Sequence, residues 1–414
     1  MITNYMVSFR FLLFKWLLLV LLLWGLGNQP TVAQNLSPQA RISLITCSPG
    51  DELYSMYGHS AIRVADPAYG IDYVFNYGTF DFSTPNFYPK FVMGKLKYKL
   101  AVSNFSDFLA AYQYYNRLVY EQVLNLTAPQ KNNVFRFLQT NYLPENREYY
   151  YDFFFDNCAT RIRDVFQKTL GDTLKFNPAL NQKKQSFRQI VGIYQNPFPW
   201  ADFGVDLAMG EASDRQATAS EYMFIPDYLQ EGFAKATVQN KNDKAPFAQP
   251  VTTLFKANSP VSVLGPLRPG IVCWALFSLG AFLTWWQWRQ KYADYSFDAV
   301  FFGVIGVLGF VLLFLTTSSE YKAFAKNLNL LWAIPLHLPV AFLLLRQKPW
   351  RFIKIYFLIT AILMAAILIF WRLLPQEYHP AFFPVVLLLG LRAGYIYFTQ
   401  KFSIHKRAPQ RVSY

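Results

Sequence analysis

The sequence predicts an α+β exported domain followed by an all-α membrane bundle of five transmembrane helices. Three observations predict it. Five apolar stretches, near 269–288, 299–317, 328–345, 353–373 and 382–399, each approach the length that crosses roughly 30 Å of hydrocarbon. The basic excess lies in the same third of the chain: residues 257–414 carry 15 Lys and Arg against 4 Asp and Glu, whereas residues 35–256 carry 22 against 21. Ahead of the spans, short strand-like runs alternate with turn residues and helix starts, the mix of an α+β domain.

The net charge of +14 over 414 residues raises nucleic acid as a partner, but its placement excludes that class. The loops 289–298 and 346–354 and the tail hold ten basic residues: Arg289, Lys291, Arg346, Lys348, Arg351, Lys354, Lys401, Lys406, Arg407 and Arg411. The other two loops hold three, Lys322, Lys326 and Arg372. Basic loops stay in the cytoplasm, so the chain ahead of the spans faces the opposite compartment. A second signal agrees. Arg10 and Lys15 flank or enter the apolar run Phe11 to Leu26, and Thr31-Val32-Ala33 resembles a cleavage site. Residues 1–33 therefore read as a signal peptide, with an N-terminal anchor as the alternative. The exported domain is expected over 34–262 and the membrane domain, with its basic tail, over 263–414.

Within the exported domain, Ser60–Asp66 and Tyr73–Tyr77 read as strands around a turn at Pro67–Gly70. Lys95–Val102 alternates lysine with Leu96, Tyr98 and Leu100, the period of a half-buried strand. Leu118–Leu126 is a further strand. Thr127, Pro129 and Gln130 form a capping-box pattern that opens a helix to about Leu143. The aromatic run Tyr149–Phe155 suits a buried strand, and Asn157 starts a helix through about Lys168. Residues 171–260 show weaker periodicity.

Only one of four histidines, His59, and two of three cysteines, Cys47 and Cys158, fall in this domain. His59 opens a strand in Tyr57-Gly58-His59-Ser60. Cys158 lies where a strand gives way to a helix in Asp156-Asn157-Cys158-Ala159. A thiol at a helix N-terminus has its pKa lowered by the dipole, and its own N–H is aimed outward as an oxyanion donor. A cysteine with an adjacent histidine is a nucleophile and base pair. Tyr57 and Arg161 are candidate substrate-binding residues, Arg161 because a guanidinium can bind phosphate bidentately. A salt bridge from Arg161 or Arg163 to Asp156 or Asp164 is the alternative. Asn327, Asn329 and His337 on the third span, and Arg392 in the last, are polar groups at membrane depth, for lipid positioning or for interhelical hydrogen bonds. Of these, Asn329 and His337 are the substrate-binding candidates. One histidine and no clustered ligand spacing predict no metal, and no cofactor.

The combination of Gly-His-Ser opening a strand and a later Asn-Cys opening a helix resembles the circularly permuted papain-like hydrolases, the lecithin:retinol-acyltransferase-like and NlpC/P60-like superfamily. That resemblance implies a circularly permuted papain-like fold and a third polar residue on the next strand. In Tyr73-Val74-Phe75-Asn76, Asn76 is the match that would orient the imidazole. The strings TCSPGDELYSMYGHSAIRV, FNYGTFDF, YDFFFDNCATRIRD and MFIPDYL, followed by spans with NLNLLWAIPLHLP, are similar to the Bacteroides-type lipoprotein N-acyltransferase family. The family implies a bacterial inner-membrane protein with its catalytic domain in the periplasm. It also implies a phospholipid acyl donor and, as acceptor, the α-amine of a diacylglyceryl-modified lipoprotein, by way of a Cys158 thioester. Two other readings stand beside it: a periplasmic cysteine peptidase or amidase, and a non-enzymatic lipid- or lipoprotein-binding envelope protein with Cys47 and Cys158 oxidised to a disulfide.

Overall fold

The computed structural model describes residues 35–240, 243–258, 267–345 and 351–399. The expected signal peptide or anchor, Arg346, Lys348 and the basic tail lie outside the described residues.

Ten short strands are β1 (Arg41–Cys47), β2 (His59–Asp66), β3 (Ile71–Thr79), β4 (Lys97–Asn104), β5 (Val119–Val123), β6 (Glu148–Tyr150), β7 (Leu174–Lys175), β8 (Thr237–Asn240), β9 (Asp243–Pro246) and β10 (Thr252–Phe255). Seven form one antiparallel sheet in the order β10-β5-β1-β2-β3-β4-β6, and β7, β8 and β9 form a smaller one. The helices of this half are α1 (Phe87–Val92), α2 (Phe105–Tyr114), α3 (Ala128–Tyr142), α4 (Cys158–Leu170), α5 (Phe187–Gln195), α6 (Pro199–Ala208) and α7 (Pro226–Ala234). Side chains of α3 and α4 pack with Leu44, Ile62, Val64 and Phe75 in the main core. On the other face, Phe108 and Tyr112 of α2 cover Ile45, Cys47, Ala61 and Val74. The N-terminal half is thus an α/β domain whose central strands are buried on both sides.

Most predicted elements are present. In β4, Lys97 and Lys99 face solvent while Tyr98 and Leu100 are buried, and Lys97 pairs across the sheet with Glu148 at 3.0 Å. Thr127 and Gln130 form the predicted reciprocal cap of α3. The aromatic run Tyr149–Phe155 is a correction, because only Glu148–Tyr150 is strand. The Asp152 carboxylate accepts from the N–H groups of Phe154 and Phe155, and Asp152 and Asp156 bond to each other through their backbones. That side-chain turn ends the strand two residues after Tyr150 and brings the chain round to α4.

The C-terminal part consists of α8 (Pro269–Arg289), α9 (Ser296–Ser318), α10 (His337–Leu345), α11 (Arg351–Ile369) and α12 (Phe382–Thr399). Among the described residues, four helices, α8, α9, α11 and α12, are long and apolar enough to cross a membrane. The expected third span over 328–345 is not one continuous helix. Asn327 caps a short 3-10 turn, Leu328–Leu331, and the chain turns at Pro335 before α10 begins. Proline lacks the N–H that a continuous helix needs and disfavours helical backbone just before it.

The two halves are joined by polar contacts. Asn327 donates to the carbonyls of Leu207 and Ala208 at the end of α6, and buried Gln376 donates to Met209 O. Phe203 and Leu207 of α6 pack against the core of the helical bundle.

Candidate active site

Strand β2 begins directly after a turn at Gly58. Gly58 has φ +79°, and a Cβ there would lie 2.8 Å from the Cys47 carbonyl oxygen, so only glycine fits. The turn presents His59 at the very end of β2, opposite Cys47 in the β1 register. The next strand supplies Asn76, whose Oδ1 lies 2.6 Å from His59 Nε2. An amide oxygen only accepts, so Nε2 carries the donated proton and Nδ1 is left for another partner.

The Cys158 thiol is the charged neighbour that acts on this imidazole. Cys158 is the first residue of α4. Asn157 caps the helix, its Oδ1 accepting from Thr160 N and its own N–H donating to Thr160 Oγ1. Asn157 Nδ2 also donates to the carbonyls of Phe153 and Phe224, which ties the helix start to its surroundings. The strand side of the site is shaped by Gly78, where the β3–β4 register shifts. Gly78 has φ +86°, and a Cβ there would lie 3.6 Å from the Cys158 Cβ and 4.0 Å from the Tyr149 hydroxyl.

The electrostatics move the proton affinities of Cys158 and His59 toward each other. Burial pushes the Cys158 thiol up, but the His59 charge, its hydrogen bond and the backbone N–H groups of Ser60 and Ala159 outweigh it, and the net shift is down. Burial pushes His59 down, but the facing sulfur and the Asn76 bond reverse that, and its net shift is up. Each group's charged form thus favours the charged form of the other, which lowers the cost of moving the proton from Cys158 to His59. Cys47 contrasts with this. Burial pushes its thiol up to about 12, with Arg117 and Tyr112 only partly offsetting it. Cys47 and Cys158 are both free thiols, so the disulfide is not formed.

Tyr149 is a residue of the site that the sequence presents only as part of an aromatic run. Its hydroxyl is buried and finds no hydrogen-bond partner among the described residues. The ring is held between Tyr77 and the Arg161 guanidinium, which sits 3.6 Å from its centroid.

Two family profiles match the chain: the Lnb N-terminal periplasmic domain over residues 29–191 and the Lnb transmembrane domain over residues 261–403. Together they support a Lnb-type, lipoprotein N-acyltransferase-like family. No curated protein and no solved structure matches. A periplasmic Lnb domain joined to a transmembrane Lnb domain with several apolar helices supports a multi-pass inner-membrane protein.

His59, Asn76, Cys158 and Tyr149 all fall within the match to the Lnb N-terminal domain. The substrate-binding candidates are placed differently. Arg161 is engaged bidentately by Asp156, at 2.5 and 2.7 Å, as well as stacked on Tyr149, so its fork is already occupied. Tyr57 accepts from Gln195 Nε2 at 2.6 Å, and burial pushes its hydroxyl up to about 12. Within the Lnb transmembrane domain, Asn329 accepts from Trp332 Nε1 and donates to Leu207 O, while His337 bonds to the Tyr356 hydroxyl and approaches Trp332 O. Both are fully buried and bonded to protein groups. Arg392 is likewise spent on Asp298, Thr284 and Gln287. Among the described residues, no group of three or more His, Cys, Asp and Glu is arranged to hold a metal.

Proposed function

We propose that the chain is a lipoprotein N-acyltransferase with a cysteine nucleophile. The observation that carries this reading is the thiol–imidazole–amide line of Cys158, His59 and Asn76, set in a domain fused to membrane helices. The Cys158 thiolate attacks an ester carbonyl of a glycerophospholipid. The acyl C–O bond breaks, imidazolium protonates the departing lysophospholipid oxygen, and a Cys158 thioester remains. Neutral His59 then removes a proton from the acceptor, the α-amine of an N-terminal diacylglyceryl-cysteine. The amine attacks the thioester, an amide forms, and the thiolate–imidazolium pair returns. Asn76 fixes the ring so that Nδ1 faces the sulfur. The tetrahedral oxyanion is held by the Cys158 N–H and by the Tyr149 hydroxyl, a buried donor with no other partner among the described residues. The domain faces the periplasm, where lipoproteins acquire their lipid. Anchoring the domain to the bundle keeps two insoluble substrates at one surface and removes much of the entropic cost of their encounter.

The test is trapping of the acyl-enzyme. The full-length protein incubated with phospholipid vesicles should gain one fatty acyl mass on the peptide containing Cys158, released by neutral hydroxylamine. Cys158→Ala should gain none, and His59→Ala should slow its formation severely. An acyl chain found elsewhere, or water-driven cleavage of peptides with no acyl-enzyme, would favour the peptidase reading instead.

A further inference from the structure

A cavity of about 630 Å³ lies where the N-terminal domain meets the helical bundle. Asp202 in the first turn of α6, Arg268, Ile271 and Trp274 at the start of α8, and His379 ahead of α12 line it, with Asn196 at its rim. Because α8 is a membrane-crossing helix that begins at Pro269, these residues sit at the level where the bundle enters the bilayer. Trp274 suits that depth, where amphipathic rings collect.

The cavity holds two opposite charges that do not neutralise each other. His379 Nδ1 accepts from Ala381 N at 3.1 Å, and His379 Nε2 lies 3.3 Å from Asp202 Oδ2. That contact engages one of the two Asp202 oxygens, Oδ2. Arg268 is exposed and makes no ion pair among the described residues. The Arg268 guanidinium, with no ion pair among the described residues, and the Asp202 carboxylate, beside an apolar wall of Ile271 and Trp274, complement a zwitterion that carries its own chains into the bilayer.

We propose that this cavity seats the headgroup of an ethanolamine phospholipid. The Arg268 fork takes the phosphate bidentately. The primary ammonium donates to the Asp202 carboxylate and to the Asn196 side-chain oxygen. A quaternary ammonium has no N–H for either group, and a glycerol headgroup brings no positive charge to Asp202. A short chain of residues links the cavity to the start of β2. Asn196 follows Gln195, which holds the Tyr57 hydroxyl, and Tyr57 is two residues from His59. The identification of this lipid as the acyl donor rests on the acyl-transfer reading, but its binding does not.

The experiment therefore measures binding in the full-length Cys158→Ala protein, which cannot turn over. Reconstituted in phosphatidylcholine nanodiscs, it is titrated with labelled phosphatidylethanolamine, phosphatidylglycerol or soluble glycerophosphoethanolamine, and retained lipid is read by native mass spectrometry. Phosphatidylethanolamine should be retained about tenfold over phosphatidylglycerol. Asp202→Asn should erase that preference while keeping phospholipid bound, and Arg268→Gln should lower retention of both lipids. Equal retention of the two lipids, or indifference to both substitutions, overturns the proposal. Equal competition by soluble glycerophosphoethanolamine overturns the assignment to a membrane lipid. If binding behaves as stated but wild-type protein forms no acyl-enzyme, the cavity stands and the acyl-transfer reading fails.

Discussion

Removing the Tyr149 hydroxyl should move stability and rate in opposite directions. In Tyr149→Phe the ring keeps its packing on Tyr77 and its contact with the Arg161 guanidinium at 3.6 Å. What disappears is a buried hydroxyl with no partner among the described residues. An unsatisfied polar group costs the folded state about 1–3 kcal/mol, so the variant should be as stable as wild type or more so. If the hydroxyl holds the oxyanion, its loss should slow acylation by about 10²-fold, near the lower end of the effect of one oxyanion donor. The assay is single-turnover acyl-enzyme formation by intact-protein mass spectrometry, with thermal melting on the same samples. Unchanged acylation would refute the role given to Tyr149. A large loss of stability would refute the structural premise, because it would mean the hydroxyl is bonded in the folded protein.

Three further outcomes follow from the same geometry. At neutral pH a small alkylating agent should label Cys158 and spare Cys47, whose thiol burial holds at about 12; peptide mapping checks this, and preferential Cys47 labelling would contradict it. The pH profile of acylation should be bell-shaped. Its acid limb, from protonation of Cys158, should lie below the ordinary thiol range because that thiol is shifted down, and its alkaline limb, from His59, above the ordinary imidazole range because that group is shifted up. Asn76→Ala removes one interaction that raises His59, so the alkaline limb should move down. Gly58→Ala forces a φ of +79° on a residue with a Cβ 2.8 Å from the Cys47 carbonyl, and should cost more than the roughly 1–2 kcal/mol of left-handed backbone alone, seen as a lower melting temperature and reduced acylation.

The features legible in the sequence are those with a local physical signature. The alternation of Lys97, Tyr98, Lys99 and Leu100 encodes a half-buried strand, and Thr127 with Gln130 encodes a cap. The cysteine at the mouth of α4 is marked by Asn157 before it. Strand β1 left no such mark. Arg41–Cys47 is buried on both faces by α2 and by the α3–α4 layer, so it has no alternation to read. The run Tyr149–Phe155 looks uniformly strand-like because the turn that interrupts it is made by one aspartate side chain, Asp152. The third span reads as continuous from hydropathy, which does not register that Asn327 bonds to the end of α6, that Gln376 bonds to Met209 just after it, or that the chain turns at Pro335. Tyr149 and Arg268 are ordinary in sequence. They are singled out only by the fold, Tyr149 by a buried hydroxyl with no partner among the described residues and Arg268 by its place in the cavity.

Lipoprotein N-terminal structure in cells carrying Cys158→Ala as the only copy tests the central claim most directly. Mass spectrometry of the N-terminal lipopeptides should show the diacylglyceryl-cysteine with a free α-amine in the variant and an N-acyl group when wild-type protein is restored. Full N-acylation in cells whose only copy carries Cys158→Ala would contradict the account.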